Sequence, residues 1–463
     1  MADFADLVIL LPGITGSVLA NKAGKEVWAP SGGAVWRAIT SLGGSIEGLE
    51  LAGDEIDDGV TATRLVPDVT LVPGLIKIDG YGRVSDYLIA QLGLRERQNF
   101  RAFPYDWRRD NRVNAKRLEA QALSWLHDWR AESGNAAAKL VLIGHSMGGL
   151  ISRYFIECLG GWQHTRTLMT LGTPHRGSLS AVGFLENGMK KGIGPFGLDL
   201  SPLLRSLTSV YQLLPIYPCV IGNSGGGVGE MQRVAQAAQA GLLPHVDAPR
   251  ATAARAFHQE IQDAQARNAQ NADYAERGPA LIPVVGIEQP TAQTADMRSG
   301  KLVLQNSYEG QDLGGDGTVP RISATPIELS DAKREIYAAE THGALQNADG
   351  TLANLRGVLT RDKIDLRKFQ RAEDAAMLTL DVDDVVLPGE ALAVRVRASE
   401  GNPKVSLTLT PLAGGVALEE RLARDAAPGW QQGRFALAPG VWRVTATAEG
   451  ATAVSELVVV AAP

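Results

Sequence analysis

Residues 140–150 read LVLIGHSMGGL, and this stretch decides the fold of the larger part of the chain. The apolar run at 140–143 predicts a buried strand, and apolar residues recur at helical spacing from Leu150 to Cys158. Between them, the pattern Gly-x-Ser-x-Gly is typical of a sharp strand-to-helix turn that holds a serine hydroxyl at the carboxyl edge of a sheet. The stretch therefore predicts a strand, a turn and a helix, with Ser146 as a candidate nucleophile.

A serine nucleophile needs a base, because the hydroxyl is unreactive at its ordinary pKa. In hydrolases built on this turn, an acidic residue and then a histidine follow the serine in chain order. His342 lies in the loop THGALQN after a predicted strand that begins near Glu335, and it is the best candidate base; the alternative is a solvated loop histidine. Other histidines are interpreted as turn or surface residues, or as parts of an insertion away from strand ends: His145, His164, His175, His245 and His258.

The acid is expected in a loop between Ser146 and His342. The segment GGDGTVP at 314–320 offers Asp316, whose flanking glycines allow a tight turn that aims the carboxylate at the imidazole. Asp312 is the alternative, and either residue could instead be a solvated turn residue. We favour Asp316, which would fix the tautomer of His342 and stabilise its imidazolium while His342 removes the proton of Ser146.

Acyl transfer also needs two N–H donors for the developing oxyanion. One is expected at Met147, directly after the candidate nucleophile. The segment LLPGITGS at 10–17 can supply the other, because Pro12-Gly13 turns the chain out of the first strand and leaves the amide of Ile14 free to point into the site. A plain turn is the alternative interpretation of that segment.

The remaining pattern up to about residue 371 predicts an α/β domain. Val/Ile/Leu-rich runs at 7–11, 167–171 and 281–285 resemble buried strands of a mostly parallel sheet, and longer helical segments alternate with them. Residues 179–280 interrupt this rhythm with prolines, a glycine-rich stretch and an Ala/Gln-rich helical run, and are interpreted as a cap or lid. Residues 20–70, with Trp28 and Trp36, could form a second excursion.

Residues 372–463 have a different character. Apolar and polar residues alternate strictly in runs such as 392–397, 405–409 and 442–446, and Pro-Gly pairs separate the runs. This pattern predicts antiparallel strands in a small immunoglobulin- or fibronectin-like β-sandwich. The expected organisation is thus a hydrolase-type domain at 1–371 and a β-sandwich at 372–463.

Composition excludes several classes of function. A net charge of −6 gives no basic field for DNA or RNA, and the 45% hydrophobic content is that of a globular protein. Two cysteines, Cys158 and Cys219, are too few for a secreted disulfide framework, and Asp3 and Asp6 do not fit a signal peptide, so a cytoplasmic location is expected. Neither metal-ligand spacing nor a phosphate or dinucleotide motif occurs, so no cofactor is expected.

Several segments together resemble one family. In chain order they are VILLPGITGS, RAFPYDWRRD, IGHSMGG, TLGTPHRGS, SVYQLLP, GGDGTVP and THG. This order is similar to that of the lecithin:cholesterol acyltransferase-like α/β-hydrolases, which include lysosomal phospholipase A2 and phospholipid:diacylglycerol acyltransferase. The resemblance covers about residues 5–360, and Pro-Tyr-Asp-Trp-Arg at 104–108 is its most specific part.

The resemblance implies an α/β-hydrolase fold and acyl chemistry through a covalent acyl-enzyme. Carried over by position, it implies Ser146, Asp316 and His342 as a catalytic triad, with the amides of Ile14 and Met147 as the oxyanion hole. It also implies that Asp106, Trp107 and Arg108 lie close to the acyl pocket, where Asp106 and Arg108 could form a bracing ion pair and Trp107 could pack against the first excursion.

The chain also departs from that family. Its first cysteine is Cys158, so the disulfide-closed membrane-binding segment of the secreted animal members has no counterpart. Peripheral membrane contact would need exposed apolar residues near Trp28 and Trp36 or at 203–217, and core packing is the alternative role of those residues. The β-sandwich could bind a protein partner, present the enzyme to a surface or only stabilise the fold.

Three functions follow from these observations. The first is a serine hydrolase that acts on lipid acyl esters, as a lipase or phospholipase A or as an acyltransferase. The second is a carboxylesterase that acts on soluble short-chain esters with the same three residues. The third is a binding protein that acts through its β-sandwich, and the combination of Ser146, Asp316 and His342 weighs against it.

Overall fold

The computed structural model of the protein describes residues 4–29, 49–67, 70–72, 76–191, 198–224, 227–228, 231–330, 335–360, 376–387, 389–401 and 403–461. Trp36 and the expected domain boundary at residue 372 lie outside these ranges, as does part of the glycine-rich stretch near 225.

In the described part of the chain, the central sheet has six strands: β1 (Leu7–Leu11), β2 (Phe100–Ala102), β3 (Leu140–His145), β4 (Thr165–Leu171), β5 (Ala280–Gly286) and β6 (Ile336–Ala338). Their order is β6-β5-β4-β3-β1-β2, and all neighbours are parallel. The strands predicted from the apolar runs are therefore confirmed. Because parallel strands end at the same edge of a sheet, the loops after β1, β3, β5 and β6 meet there.

Burial on both faces explains the continuous apolar runs of these strands. In β1, Leu7, Ile9 and Leu11 pack into one hydrophobic cluster, whereas Val8 and Leu10 pack into another on the opposite face. The described helices are α1 (Gly82–Leu92), α2 (Asn111–Ser133), α3 (Met147–Cys158), α4 (Leu179–Glu186), α5 (Ser201–Ser206), α6 (Thr208–Tyr211), α7 (Val234–Gln239), α8 (Ala248–Asn268), α9 (Ala272–Arg277), α10 (Arg321–Ala324) and α11 (Asp349–Thr360). Buried residues of α2, α3 and α8 belong to the first cluster, and those of α1 and α11 to the second.

Small sheets accompany this core. Strands Glu26–Trp28, Ser17–Ala20 and Thr61–Leu65 form one of them, and Val220–Ile221, Thr294–Asp296 and Val303–Gln305 form another. Two-stranded pairs are Thr70–Val72 with Ile76–Ile78, Lys190–Lys191 with Leu198–Asp199, and Asn223–Ser224 with Gly227–Val228. Helices α4 to α9 lie in the region 179–280, so the helical Ala/Gln-rich run is confirmed.

The C-terminal region consists of short strands: β7 (Ala376–Val382), β8 (Val385–Val386), β9 (Leu392–Ala398), β10 (Val405–Pro411), β11 (Leu418–Arg421), β12 (Ala423–Arg424), β13 (Trp430–Phe435), β14 (Gly440–Ala448), β15 (Ala451–Thr452) and β16 (Val454–Val460). They form two sheets, in the orders β12-β13-β9-β7-β15 and β8-β16-β14-β10-β11, with mostly antiparallel pairing. Residues predicted to face inward, such as Val394, Leu407 and Val444, are fully buried in one cluster between the sheets. The β-sandwich is confirmed.

Together, these elements confirm the predicted fold class. A parallel sheet with helices on both faces, a serine turn after its third strand and late loops after β5 and β6 make up an α/β-hydrolase fold, followed by a mostly antiparallel β-sandwich. Within the ranges that the structure describes, no helix combines the length and the apolar character needed to cross a bilayer.

Candidate active site

Ser146 lies at the turn between β3 and α3 in a strained backbone conformation. Its φ of 50° and ψ of −124° are unusual for a residue with a side chain, and such strain costs about 1–3 kcal/mol. The turn is held by the Ser146 amide, which donates to the carbonyl of Leu171 at the end of β4 (2.8 Å). The surrounding structure therefore maintains the sharp turn that the sequence pattern predicted.

The flanking glycines are required by close backbone contacts. A Cβ atom on Gly144 would lie 2.6 Å from the amide nitrogen of Gly149, and one on Gly148 would lie 2.5 Å from the carbonyl oxygen of Pro12. Real side chains do not approach so closely, so a larger residue at 144 would displace the first turn of α3, and one at 148 would push the loop after β1 away from that helix. Gly148 thus allows the Pro12 loop to lie directly against the helix that follows Ser146.

Ser146, His342 and Asp316 form a continuous chain of hydrogen bonds. The Nε2 atom of His342 lies 3.0 Å from Oγ of Ser146, and its Nδ1 atom lies 2.8 Å from Oδ2 of Asp316. The three residues come from the loops after β3, β6 and β5. The structure therefore brings together the three residues that were predicted to act as a unit.

Asp316 is held so that only one of its oxygens faces the imidazole. It is 1% exposed, and its Oδ1 accepts hydrogen bonds from the amides of Thr318 (3.0 Å) and Val319 (2.7 Å). Oδ2 accepts from Nδ1 of His342, which leaves the Nε2 lone pair directed at the hydroxyl of Ser146. The alternative acid, Asp312, is exposed and instead accepts hydrogen bonds from Gln293 and Gly314.

The loop expected to carry an oxyanion donor lies beside Ser146. A Cβ atom on Gly13 would lie 3.0 Å from Cβ of Ser146, and Gly13 and Ile14 line the same cavity as Ser146. Met147 is the first residue of α3. Both predicted donors therefore belong to segments that border the serine.

His145 corrects one of our interpretations. It was expected to be a turn or surface residue, but it is fully buried, and burial together with the neighbouring His342 lowers its pKa to about 3. Its side chain therefore stays neutral. His175, also interpreted as a turn or surface residue, lies in a turn after β4, but it is only 8% exposed and its Nε2 atom pairs with the hydroxyl of Thr170.

The hydrogen bonds of His145 have a fixed direction. The carbonyl of His342 can only accept, so His145 donates to it from Nε2 (3.0 Å) and accepts at Nδ1 from the hydroxyl of Tyr81 (2.8 Å). The oxygen of Tyr81 in turn accepts from the amide of Gly13 (2.7 Å). This chain links the loop of Ile14 to the backbone of His342.

Sequence reasoning missed Tyr81 and Gly172 as parts of this site. Tyr81 is distant in sequence from the recognised motifs, and no local pattern indicates its contact with His145. Gly172 lies in the TLGTP segment with φ of 55°, and a Cβ atom there would lie 2.9 Å from Oδ2 of Asp316 and 3.1 Å from Nδ1 of His342. A glycine directly after a parallel strand was the signal that could have identified it.

The segment around Trp107 borders the cavity beside Ser146 and is held in place by an ion pair and by ring packing. Asp106 and Arg108 form a buried bidentate ion pair, with Nε–Oδ1 and Nη2–Oδ2 distances of 2.9 and 2.8 Å. Trp107 packs edge-on against Trp28 with ring centroids 5.1 Å apart and donates from Nε1 to the carbonyl of Ser17. Trp107 lines the cavity, whereas Asp106 and Arg108 do not belong to its wall.

A cavity of about 540 Å³ opens beside Ser146 and His342. Its wall on the side of α4 to α6 is largely apolar and includes Ala181, Phe184, Leu200, Leu203, Leu204, Leu207 and Val210. Trp28 also lines it and is only 7% exposed. Of these residues, Trp28, Leu203, Leu204, Leu207 and Val210 belong to the segments considered for membrane contact, and the structure buries them in the wall of the cavity.

Tyr81→Phe tests the buried link between His145 and Gly13. Removal of the hydroxyl leaves the amide of Gly13 and Nδ1 of His145 without partners, and an unsatisfied buried polar group costs about 1–3 kcal/mol. We expect a loss of this size in the free energy of unfolding, measured by urea denaturation. Tyr337→Phe is the control, because the hydroxyl of Tyr337 is on the surface, and its change should stay within about 0.5 kcal/mol. Equal losses in both variants would contradict the link.

Parts of the chain are similar to known proteins. Residues 76–239 match the family model described as lecithin:cholesterol acyltransferase. The chain is 32% identical over 160 residues to a triacylglycerol lipase of Pseudarthrobacter phenanthrenivorans, covering 34% of this chain and 46% of that protein. It has the same identity over 160 residues to a triacylglycerol lipase of Burkholderia plantarii, covering 34% and 41% of the two chains. It thus spans less than half the length of these relatives.

Among solved structures, the chain is similar to mature lipase BlEst2 of Bacillus licheniformis, with a TM-score of 0.34 and 11% identity, over 77% of this chain and 92% of that one. The matched family segment begins just before Tyr81 and contains the strand-turn-helix unit around Ser146. The resemblance to the lecithin:cholesterol acyltransferase family that the sequence motifs indicate is therefore confirmed, over residues 76–239.

Proposed function

We propose that this protein is a serine-dependent hydrolase of lipid acyl esters that works through a covalent acyl-enzyme on Ser146. The observation that carries the proposal is the chain of hydrogen bonds from Asp316 through His342 to Ser146, which opens onto the apolar cavity. In this proposal, residues 179–280 act as the cap over the acyl chain.

The first half of the reaction forms the acyl-enzyme. His342 removes the proton of Ser146 through Nε2 while Oγ attacks the ester carbonyl carbon, and the carbonyl oxygen gains negative charge. Asp316 stabilises the imidazolium. When the tetrahedral intermediate collapses, the bond to the alcohol oxygen breaks and His342 gives the proton to that oxygen. The alcohol then leaves, and the acyl group stays on Ser146.

The second half releases the acyl group. A water molecule loses a proton to His342 and attacks the acyl carbonyl carbon. When this second tetrahedral intermediate collapses, the bond to Oγ of Ser146 breaks and His342 returns the proton to Oγ, which releases the fatty acid and regenerates Ser146. In both halves, the amides of Ile14 and Met147 donate to the oxyanion, and the N-terminus of α3 favours its negative charge. An alcohol in place of water would give a new ester, so the same acyl-enzyme serves acyl transfer.

Two observations support a lipid substrate. The cavity beside Ser146 has an apolar wall, and its volume of about 540 Å³ lies within the range of pockets that hold molecules of drug size. Two relatives are called triacylglycerol lipases, and the matched family model is described as lecithin:cholesterol acyltransferase. A soluble short-chain ester would leave most of the apolar wall uncovered.

Ser146→Ala should abolish ester turnover. Loss of a serine nucleophile lowers kcat by about 10⁶-fold in a well-studied protease, and we expect a loss on the order of 10⁴-fold or more here. Wild-type and variant proteins are incubated with mixed phospholipid and triacylglycerol vesicles that contain a long-chain alcohol, and the products are identified by mass spectrometry. Free fatty acid indicates hydrolysis, and a new ester indicates transfer to the alcohol.

Ser299→Ala is the matched control, because Ser299 is exposed and does not line the cavity. Its activity should remain close to that of the wild type. Turnover by Ser146→Ala at the wild-type rate would contradict the proposed mechanism. Cleavage of soluble short esters alone, with all vesicle lipids untouched, would contradict the lipid substrate and support the carboxylesterase alternative.

Ala181→Phe tests whether the apolar wall binds the acyl chain. Ala181 is buried in α4 and lines the cavity, so a phenyl ring there fills space that a long chain would need. We expect kcat/KM for a 16-carbon ester to fall by about tenfold or more relative to a 4-carbon ester, since each methylene in an apolar pocket changes discrimination by about tenfold or more. Ala181→Ser, which adds one atom, should keep the wild-type ratio. An unchanged ratio in Ala181→Phe would place the acyl chain elsewhere.

A further inference from the structure

The loop that carries Asp316 does not by itself define the direction of the carboxylate. Gly315 and Gly317 flank Asp316, and Gly314 and Gly317 have positive φ angles of 71° and 90°. Glycine leaves the backbone more conformational freedom than any other residue, so a loop of this composition is ordered by its partners in the tertiary fold. Contacts with other segments must therefore hold Oδ2 of Asp316 at its distance of 2.8 Å from Nδ1 of His342.

The segment after β5 binds this loop on both sides of Asp316. The amide of Gln289 donates to the carbonyl of Gly315 (2.9 Å). The hydroxyl of Thr291 accepts from the amide of Gly317 (2.8 Å) and donates to the carbonyl of Gln289 (2.8 Å). Gln289 and Thr291 are only 3% and 1% exposed, so water competes little for these groups. The position of the Gln289 backbone thus controls the position of the acid loop.

The side chain of Gln289 binds to the C-terminal β-sandwich. It donates from Nε2 to the carbonyl of Leu378 (3.3 Å) and accepts at Oε1 from the amide of Leu380 (3.4 Å), both in β7. These are alternate residues of the strand, so their backbone groups point to the same edge, and the amide side chain binds there as a peptide group of a neighbouring strand would. One side chain therefore connects the sandwich to the segment that holds Asp316.

The loop that carries His342 contacts the sandwich through the residue before the histidine. Thr341 is 5% exposed and donates from its hydroxyl to the carbonyl of Ser455 in β16 (3.2 Å). The hydroxyl of Ser455 in turn pairs with the hydroxyl of Thr445 in β14 (2.9 Å). The contact of Thr341 is thus made with a residue that is itself bound to the next strand of the sandwich.

The residue after His342 is linked to the sandwich through an ion pair. The carbonyl of Gly343 accepts from the amide of Asp79 (2.9 Å). The carboxylate of Asp79 pairs with both terminal nitrogens of Arg443 in β14, at 2.9 and 3.0 Å. A bidentate pair between a guanidinium and a carboxylate fixes orientation as well as distance. Both neighbours of His342 in the chain are therefore tied to the sandwich.

We propose that the β-sandwich is a positioning element of the active site. Through Gln289, it holds Asp316 in the orientation that His342 needs. Through Thr341, it holds His342 at hydrogen-bond distance from Ser146. This inference rests on the proposed function, because it gives these contacts a role in the reaction at Ser146. A shift of about 1 Å in a catalytic group can lower a rate by about 10²-fold, so loosened loops would lower kcat while the cavity still bound the ester.

Gln289→Met tests the contact with the acid loop. Methionine is close to glutamine in length and volume, but it has no amide to bind the backbone of β7. We expect kcat for a long-chain ester to fall by about tenfold or more, with KM within about twofold of the wild-type value, because the change loosens the acid loop and leaves the cavity wall intact. The two constants are measured by steady-state kinetics on the full-length chain.

Asn99→Leu is the matched control for stability. Asn99 is also a buried amide that binds two backbone groups, the carbonyl of Phe4 (3.1 Å) and the amide of Arg95 (2.7 Å). It lies just before β2, however, at the edge of the sheet opposite Ser146. The control should lower the urea midpoint of unfolding and keep the wild-type kcat. An equal loss of kcat in both variants would show an effect of stability alone and would overturn the inference.

Thr341→Val tests the base loop and covers the case in which the Gln289 variant does not fold. Valine keeps the shape of threonine and loses only the hydroxyl that binds Ser455. We expect a several-fold loss of kcat with KM unchanged, and Thr341→Ser, which keeps the hydroxyl, should restore the wild-type kcat. Thr165→Val is the control, because the hydroxyl of Thr165 donates to the carbonyl of Gly161 (2.8 Å) at the start of β4, at the opposite edge of the sheet.

The outcomes separate this inference from the proposed function. An unchanged kcat in Thr341→Val, or in a folded Gln289→Met, would overturn the positioning role of the sandwich. A loss of kcat in Thr165→Val equal to that in Thr341→Val would do the same. Turnover by Ser146→Ala at the wild-type rate would instead overturn the proposed function, so the two failures are distinguishable.

Discussion

The hydrogen bond between Nδ1 of His342 and Oδ2 of Asp316 is the interaction on which the rest of the site depends. It determines that the lone pair of Nε2 faces Ser146, and it joins loops that follow two different strands. Asp316 is buried, and two backbone amides donate to its other oxygen, so the carboxylate is held in the orientation that this bond needs. Gly172 and Gly286 leave room for it, since a Cβ atom on either would collide with Asp316.

The parts of the fold contribute to this site in different ways. The parallel sheet brings the ends of β3, β5 and β6 to one edge, and helices α4 to α6 add an apolar wall. Tyr81 and His145 tie the loop after β1 to the backbone of His342. The β-sandwich contacts the loop of Asp316 through Gln289 and the loop of His342 through Thr341. Each contribution is a contact between segments that are distant in sequence, so the site is a product of the tertiary fold.

Sequence reasoning predicted the features that have a local cause. Buried parallel strands are continuous apolar runs, the sandwich strands alternate with period two, and the turn at Ser146 has a glycine pattern that close packing requires. The grouping of Asp316 and His342 with Ser146 followed from chain order and glycine-flanked loops. Asp312 could not be rejected from sequence, because both carboxylates have the same turn chemistry and only the tertiary fold buries one of them.

The features that sequence reasoning could not predict depend on side-chain contacts with residues far away along the chain. His145 was interpreted as a turn or surface residue because its contacts, Tyr81 and the carbonyl of His342, are 64 and 197 residues away. Likewise, nothing local to Asp384 or Glu456 indicates that these residues of the β-sandwich line the same cavity as His342. The apolar residues at 203–217 could contact a membrane or pack in the core on sequence grounds, and only the tertiary fold shows that Leu203, Leu204 and Leu207 are buried in the wall of a cavity.

The most direct test of the account is the covalent capture of Ser146. A long-chain alkyl fluorophosphonate places an electrophilic phosphorus where the ester carbonyl would lie, and an activated serine displaces fluoride and retains the phosphonyl group. Intact-mass and peptide mass spectrometry should find one adduct per chain, located on Ser146, with labelling strongly slowed in His342→Ala. An adduct on another residue, or equal labelling rates with and without the imidazole, would contradict the claim that His342 activates Ser146.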